Sequence, residues 1–143
     1  MNTMYKNFKL RITIFHCINT FNGAMAMPRG DDDDTELNLI KLPCSSMVKD
    51  VFLLRAFEAG ADAVIVLVCP EGACRYVEGN LRAKRRVQRV QNVLDEIGLG
   101  SRRLSLFNVA PGDEAAVAGI IQEMRAEITA LGPNPAHYIS RLA

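Results

Sequence analysis

The chain carries almost no net charge, its lysines and arginines exceeding its aspartates and glutamates by a formal +1. So even a balance gives no long-range field to draw in a polyanion, and bulk nucleic acid is not an expected partner. Long apolar runs are also lacking. The longest, Ala63 to Cys69, falls far short of the roughly 20 residues that a membrane-spanning helix needs, so no membrane insertion is expected. The first residues, MNTMYKNFKLRITIFHC, are basic but have neither the extended apolar centre nor the small-residue cleavage site of a secretory signal. The expected location is therefore cytoplasmic. No G-x-S-x-G, Walker A or G-x-G-x-x-G string occurs, which leaves hydrolase, P-loop and dinucleotide-binding readings without support.

What remains has a globular composition, 49% hydrophobic and 23% charged, unlike that of disordered or collagen-like chains. A length of 143 residues is read most simply as one domain over 1–143, able to bury a core without disulfides. Residues 1–8 and 133–143 read as irregular tails. In a reducing compartment, four cysteines point to ligands, redox groups or inert core residues before they point to a disulfide framework.

Periodicity orders the chain. Lys9 to Phe15, KLRITIF, reads as a first strand, and its end meets Cys17. Leu37 to Leu42, LNLIKL, reads as a second, closed by Pro43, which cannot donate to a ladder, and followed at once by Cys44. Ser45 and Ser46 are candidate caps for a helix running to Gly60. The run AVIVLV then lacks alternation, as expected of a central strand covered on both faces, and it ends at Cys69. Ala83, Val87, Val90, Leu94 and Ile97 recur at spacings of three and four, the mark of an amphipathic helix over Asn80 to Ile97, with Gly98 and Gly100 ending it. Arg103 to Val109 is a fourth strand. A last helix puts Val117, Ile120, Ile121, Met124, Ile128 and Leu131 on one side. Strands alternating with helices predict an α/β domain, a three-layer arrangement of about four mostly parallel strands flanked by helices.

In such sheets, sites form outside the carboxyl ends of the strands. Cys17, Cys44 and Cys69 follow the first, second and third strands, and Cys74 lies in the loop after the third. All four are thereby expected at one edge, and neighbouring strands only about 4.8 Å apart would let their thiols meet. Converging thiolates repel unless a cation or cluster compensates them, and soft sulfur donors select zinc or an iron-sulfur cluster over calcium or magnesium. The C-x4-C spacing of Cys69 and Cys74 occurs around both; the lack of a second close pair favours a cluster. A zinc-stabilised structural or interaction module, a thiol redox protein using Cys69 and Cys74, and simple packing of buried cysteines stay open on the residues alone.

The run LPCSSMVKDVFLLRAFEAGADAVIVLVCPEGACRYVEGNLRAKRRVQRVQNVLDEIGLGSRRLSLFNVAPGD resembles the delta subunit of methyl-viologen-reducing hydrogenase, a family also found with heterodisulfide-reductase-like proteins. The similarity extends from about Ile12 to Pro133. Its most specific parts are AFEAGADAV, the C-x4-C loop, Tyr76, and Gly79 with Asn80. Members typically carry C-x2-C after the first strand, CSG after the second and C-x4-C after the third. Here Cys17 stands at the first position of the pair and Thr20 at the second, and every cysteine present falls at a family position. The resemblance implies that Cys17, Cys44, Cys69 and Cys74 bind one [2Fe-2S] cluster. It implies a non-catalytic electron-transfer subunit of a multi-subunit oxidoreductase, typical of anaerobes. Such a subunit relays electrons between a dehydrogenase, hydrogenase or reductase partner and a flavin-containing heterodisulfide-reductase-like subunit.

The chain departs from the pattern in CSS for CSG, and in Pro70 and Arg75 where histidines are common. Charge and hydrogen bonding near a cluster tune its potential, so Arg75 is either such a tuning group or a plain exposed arginine. Arg82, Arg85, Arg86 and Arg89 form a basic stripe, read by default as a solvated face and otherwise as a docking or charge-compensating surface. Asp31 to Asp34 lack the spaced ligands of a calcium loop and read as a solvated run. His16, beside Cys17, reads as packing or as a neighbour of the ligands rather than as a ligand.

Overall fold

The computed structural model describes residues 9–17, 35–42, 48–68, 79–110 and 112–136, and for residues 17, 79 and 80 the backbone alone. The apolar run Ala63–Val68 is β3, with all six residues buried. Alternation sends its side chains to two opposite faces, and both are covered. Val64, Val66 and Val68 join Phe15 and Leu104 under Leu53 and Phe57 of α1 (Asp50–Glu58) and Ala83, Val87, Val90 and Leu94 of α2 (Gly79–Glu96). Ala63, Ile65 and Leu67 join Leu10, Ile12 and Ile14 beneath Val117, Ile121, Met124 and Ile128 of α3 (Glu114–Leu131). Each large aliphatic side chain buried in these layers contributes roughly 1.5–3 kcal/mol, which is why the strand carries no polar residue.

β1 (Leu10–Cys17), β2 (Thr35–Leu42), β3 and β4 (Leu104–Asn108) form one parallel sheet in the order β2-β1-β3-β4. The α/β architecture expected from the sequence is therefore the one observed. β1 and β2 run two residues further than the expected strands at one end each, to Cys17 and from Thr35. Among the described residues, no helix is long and apolar enough to cross a membrane.

Helix ends differ from expectation for identifiable reasons. α1 is capped by the backbone of extended Lys49, whose carbonyl accepts from the N–H groups of Phe52 and Leu53; Ser45 and Ser46 lie outside the described residues. α2 stops at Glu96, and Ile97 is 61% exposed rather than part of the apolar stripe. Gly98 and Gly100 follow with φ of +84° and +94°, a left-handed backbone that side-chain-bearing residues resist. The Gly100 N–H returns to the Leu94 carbonyl at 3.0 Å, closing the helix. At α3, Asp113 accepts from the Ala116 N–H at 3.1 Å, satisfying one of the unpaired donors of the first turn.

The amino-terminal edge of the sheet is tied by a buried polar network. Asp62, directly before β3, accepts from the Arg11 N–H at 2.9 Å while its own N–H donates to the Arg11 carbonyl at 2.8 Å. Its other oxygen accepts from the Asn134 N–H at 2.7 Å. The Asn134 amide donates to the carbonyls of Phe57 and Ala61. Arg103, only 3% exposed, donates to the carbonyls of Leu99, Asp62, Gly132 and Pro133. Burial lowers the pKa of its guanidinium, and the Asp62 charge works in the opposite direction. The stretch after Gly132, expected to be irregular, thus docks Asn134 with no exposed surface.

Candidate functional site

The carboxyl edge of the sheet is level. Cys17 pairs with Leu42 across β1 and β2, His16 with Leu67 across β1 and β3, and Val68 with Asn108 across β3 and β4. In sequence, Cys44 comes two residues after Leu42 and Cys69 one residue after Val68. The strand order reverses between β1 and β3, so Cys17 ends a strand at the point where open α/β sheets place their sites. Of the four candidate ligands, the structure describes the backbone of Cys17; Cys44, Cys69 and Cys74 lie outside the described residues, as do Thr20, Pro70 and Arg75. No group of three histidine, cysteine or acidic side chains suited to a metal occurs among the described residues.

His16 is 5% exposed and is the penultimate residue of β1. It belongs to the interior of the domain. A groove of about 590 Å³ that the sequence did not announce runs between α1 and the β1–β2 pair, lined by Phe15, Ile40, Leu42, Phe52, Arg55 and Ala56, among others. It exists because α1 packs towards α2 and β3, leaving the β2 side of this face half-covered.

The basic stripe is built unevenly. Arg86 donates to the Val48 carbonyl at 3.0 Å, and Arg89 to Asp50 at 3.3 Å, so both tie α2 to the start of α1. Arg82 and Arg85 face outward with Lys84. α2 has no acidic residue in its first turn, although the helix dipole favours one there.

Asp62, Arg103 and Asn134 escaped the reading of the sequence as a network. The faintest of signals was available for Asp62, which sits inside the specific string AFEAGADAV; for Arg103 and Asn134 there was none, since nothing local marks an arginine or asparagine for burial.

Residues 12–132 match the family described as methyl-viologen-reducing hydrogenase, delta subunit. The chain is 37% identical over 99 residues to the vhu iron-sulfur subunit of the F420-non-reducing hydrogenase of Methanocaldococcus jannaschii, covering 69% of this chain and 74% of that one. It is 30% identical over 135 residues to the corresponding vhc iron-sulfur subunit of Methanococcus voltae, covering 91% and 92%. A different kind of similarity links it to one of the subunits of the ferredoxin/F(420)H(2)-dependent CoB-CoM heterodisulfide reductase of Methanosarcina acetivorans. There, 33% identity over 99 residues spans 69% of this chain but only 12% of the much longer relative. By the extent of the family match and the similarity to these relatives, the chain belongs to the methyl-viologen-reducing hydrogenase delta subunit family.

Proposed function

We propose that the chain is an electron-transfer subunit that works in the cytoplasm, with Cys17, Cys44, Cys69 and Cys74 holding one [2Fe-2S] cluster at the carboxyl edge of the sheet. In this reading it relays electrons between a hydrogenase, dehydrogenase or reductase partner and a flavin-containing heterodisulfide-reductase-like subunit. The observation that carries it is the level carboxyl edge. Cys17 and Leu42 share a rung, Val68 ends the next strand, and in sequence Cys44 and Cys69 follow within two residues of a strand end and Cys74 six residues after β3. Adjacent parallel strands about 4.8 Å apart would bring such residues together without unusual backbone. An all-thiolate donor set fits an iron-sulfur group in kind, and the naming of the hydrogenase relatives as iron-sulfur subunits supports iron over zinc.

The cluster would supply one-electron transfer without bond making. The chain's own contribution is to hold the strand ends in a fixed row, since β3 beneath them is buried on both faces.

Anaerobic purification followed by iron, sulfide and zinc analysis with a visible spectrum tests the reading. Coloured protein with iron and labile sulfide in equal amounts is expected. Colourless protein with one zinc would make the cysteines a structural module, and metal-free protein in which Cys69 and Cys74 cycle between thiols and disulfide would make it a thiol redox protein.

A further inference from the structure

From the surface of α2, we infer that the outward arginines Arg82 and Arg85, continued by Arg89, form a docking strip for an acidic surface on a partner protein. The inference rests on the electron-transfer reading only in taking the natural neighbour to be another subunit; the chemistry of the strip stands apart from the cluster.

The three residues recur at spacings of three and four on one helical face, spanning roughly 10 Å along the axis. Like charges at these spacings repel one another. Arg82 and Arg85 also occupy the amino-terminal half of α2, where the aligned peptide dipoles are positive and no acidic residue in the first turn compensates. Folding accounts for Arg86, which binds the Val48 carbonyl. It accounts poorly for Arg89, whose contact with Asp50 is solvent-exposed, and for Arg85, which has no ion pair among the described residues.

Composition favours a protein over a polyphosphate or an anionic membrane. The strip is arginine rather than lysine, and exposed Leu81 and Val51 lie on the same helical layer, a mixture characteristic of protein interfaces. The chain as a whole carries only +1, too little for the long-range field that draws in a polyanion. In the Methanosarcina relative the matched stretch is a small part of one long polypeptide, so there a domain of this kind has protein as its covalent neighbour. α2 connects the parallel neighbours β3 and β4, which puts its first turns at the carboxyl end of the sheet, where Cys17 closes β1.

The test uses the native assembly purified through a tag on this chain, compared with Arg85→Glu and with Arg82→Glu/Arg85→Glu. Glutamate near a helix start suits the dipole, so both variants should melt no lower than the wild type. Expected are unchanged iron content and at least tenfold weaker retention of the subunits that the wild-type chain co-purifies, with wild-type retention falling as salt rises. Equal retention by the double variant overturns the inference, whatever the iron content. Wild-type binding to RNA or to phosphatidylglycerol vesicles that the double variant loses, with subunit retention unchanged, also overturns it. Iron-free wild type that still loses its partners on charge reversal would sink the cluster while leaving the strip in place.

Discussion

Cys17 and Leu42 are direct partners on the last rung of the β1–β2 ladder. The first candidate ligand therefore ends a central strand at the same height as the residue from which the chain departs towards Cys44. Any substitution that separates these two strand ends acts on both cysteines at once.

Replacing Cys44 by serine is expected to abolish or bleach the visible spectrum and lower the iron content, while far-UV circular dichroism stays that of the wild type. The core that holds the sheet lies below the edge, in residues such as Ile14, Ile65 and Val66. An unchanged spectrum and iron content would remove Cys44 from the ligand set.

Thr20→Cys restores the family's second cysteine after the first strand. If four thiols complete the site, iron per chain stays the same in this variant. Iron gained only when the cysteine is added would show that the natural set is incomplete.

Arg103→Ala should cost roughly 3–5 kcal/mol, because it leaves the carbonyls of Leu99, Asp62, Gly132 and Pro133 without their donor and removes the positive charge that acts on buried Asp62. The urea midpoint would fall, while any visible spectrum of the purified protein would stay unchanged. Its neighbour supplies the control. Arg102 meets Glu127 at 3.7 Å in solvent, and Arg102→Ala should stay within about 0.5 kcal/mol of wild type.

Two glycines should respond with opposite signs. Gly100 has φ of +94° with nothing within 4 Å of a built Cβ, so Gly100→Ala is limited by backbone conformation alone and should cost about 1–2 kcal/mol. Gly119 lies inside α3 with equally open space and ordinary helical backbone, and Gly119→Ala should stabilise by about 0.5–1 kcal/mol. Thermal melting of the two variants side by side decides both; a stabilised Gly100→Ala protein would refute the conformational argument.

Much of the fold is legible because burial imposes periodicity. AVIVLV has the bounds of β3, and Ala83, Val87, Val90 and Leu94 are the buried stripe of α2. Ile97 continued the spacing but not the helix, since a period does not report where the chain turns away. The strand order was not legible: parallel partners such as Cys17 and Leu42 come from distant parts of the chain, and apolar patterns do not say which strand lies beside which. Asp62, Arg103 and Asn134 were hidden for a related reason. Apart from the Leu99 carbonyl four residues from Arg103, the partners that make their burial possible lie 29 to 77 residues away in sequence, so a local window contains little of the compensation. For the site, the position of Cys17 at the end of the first strand could be read from the sequence, while the groove beside α1 depends on how a short helix is placed over a sheet.

The network around Asp62 also fixes where the last described residues lie. Ala136 donates to Asn134 within it, so residues 134–136 sit at the amino edge, about 20 Å from the strand ends by the length of β3. The whole height of the sheet thus separates them from the strand end that Cys17 closes.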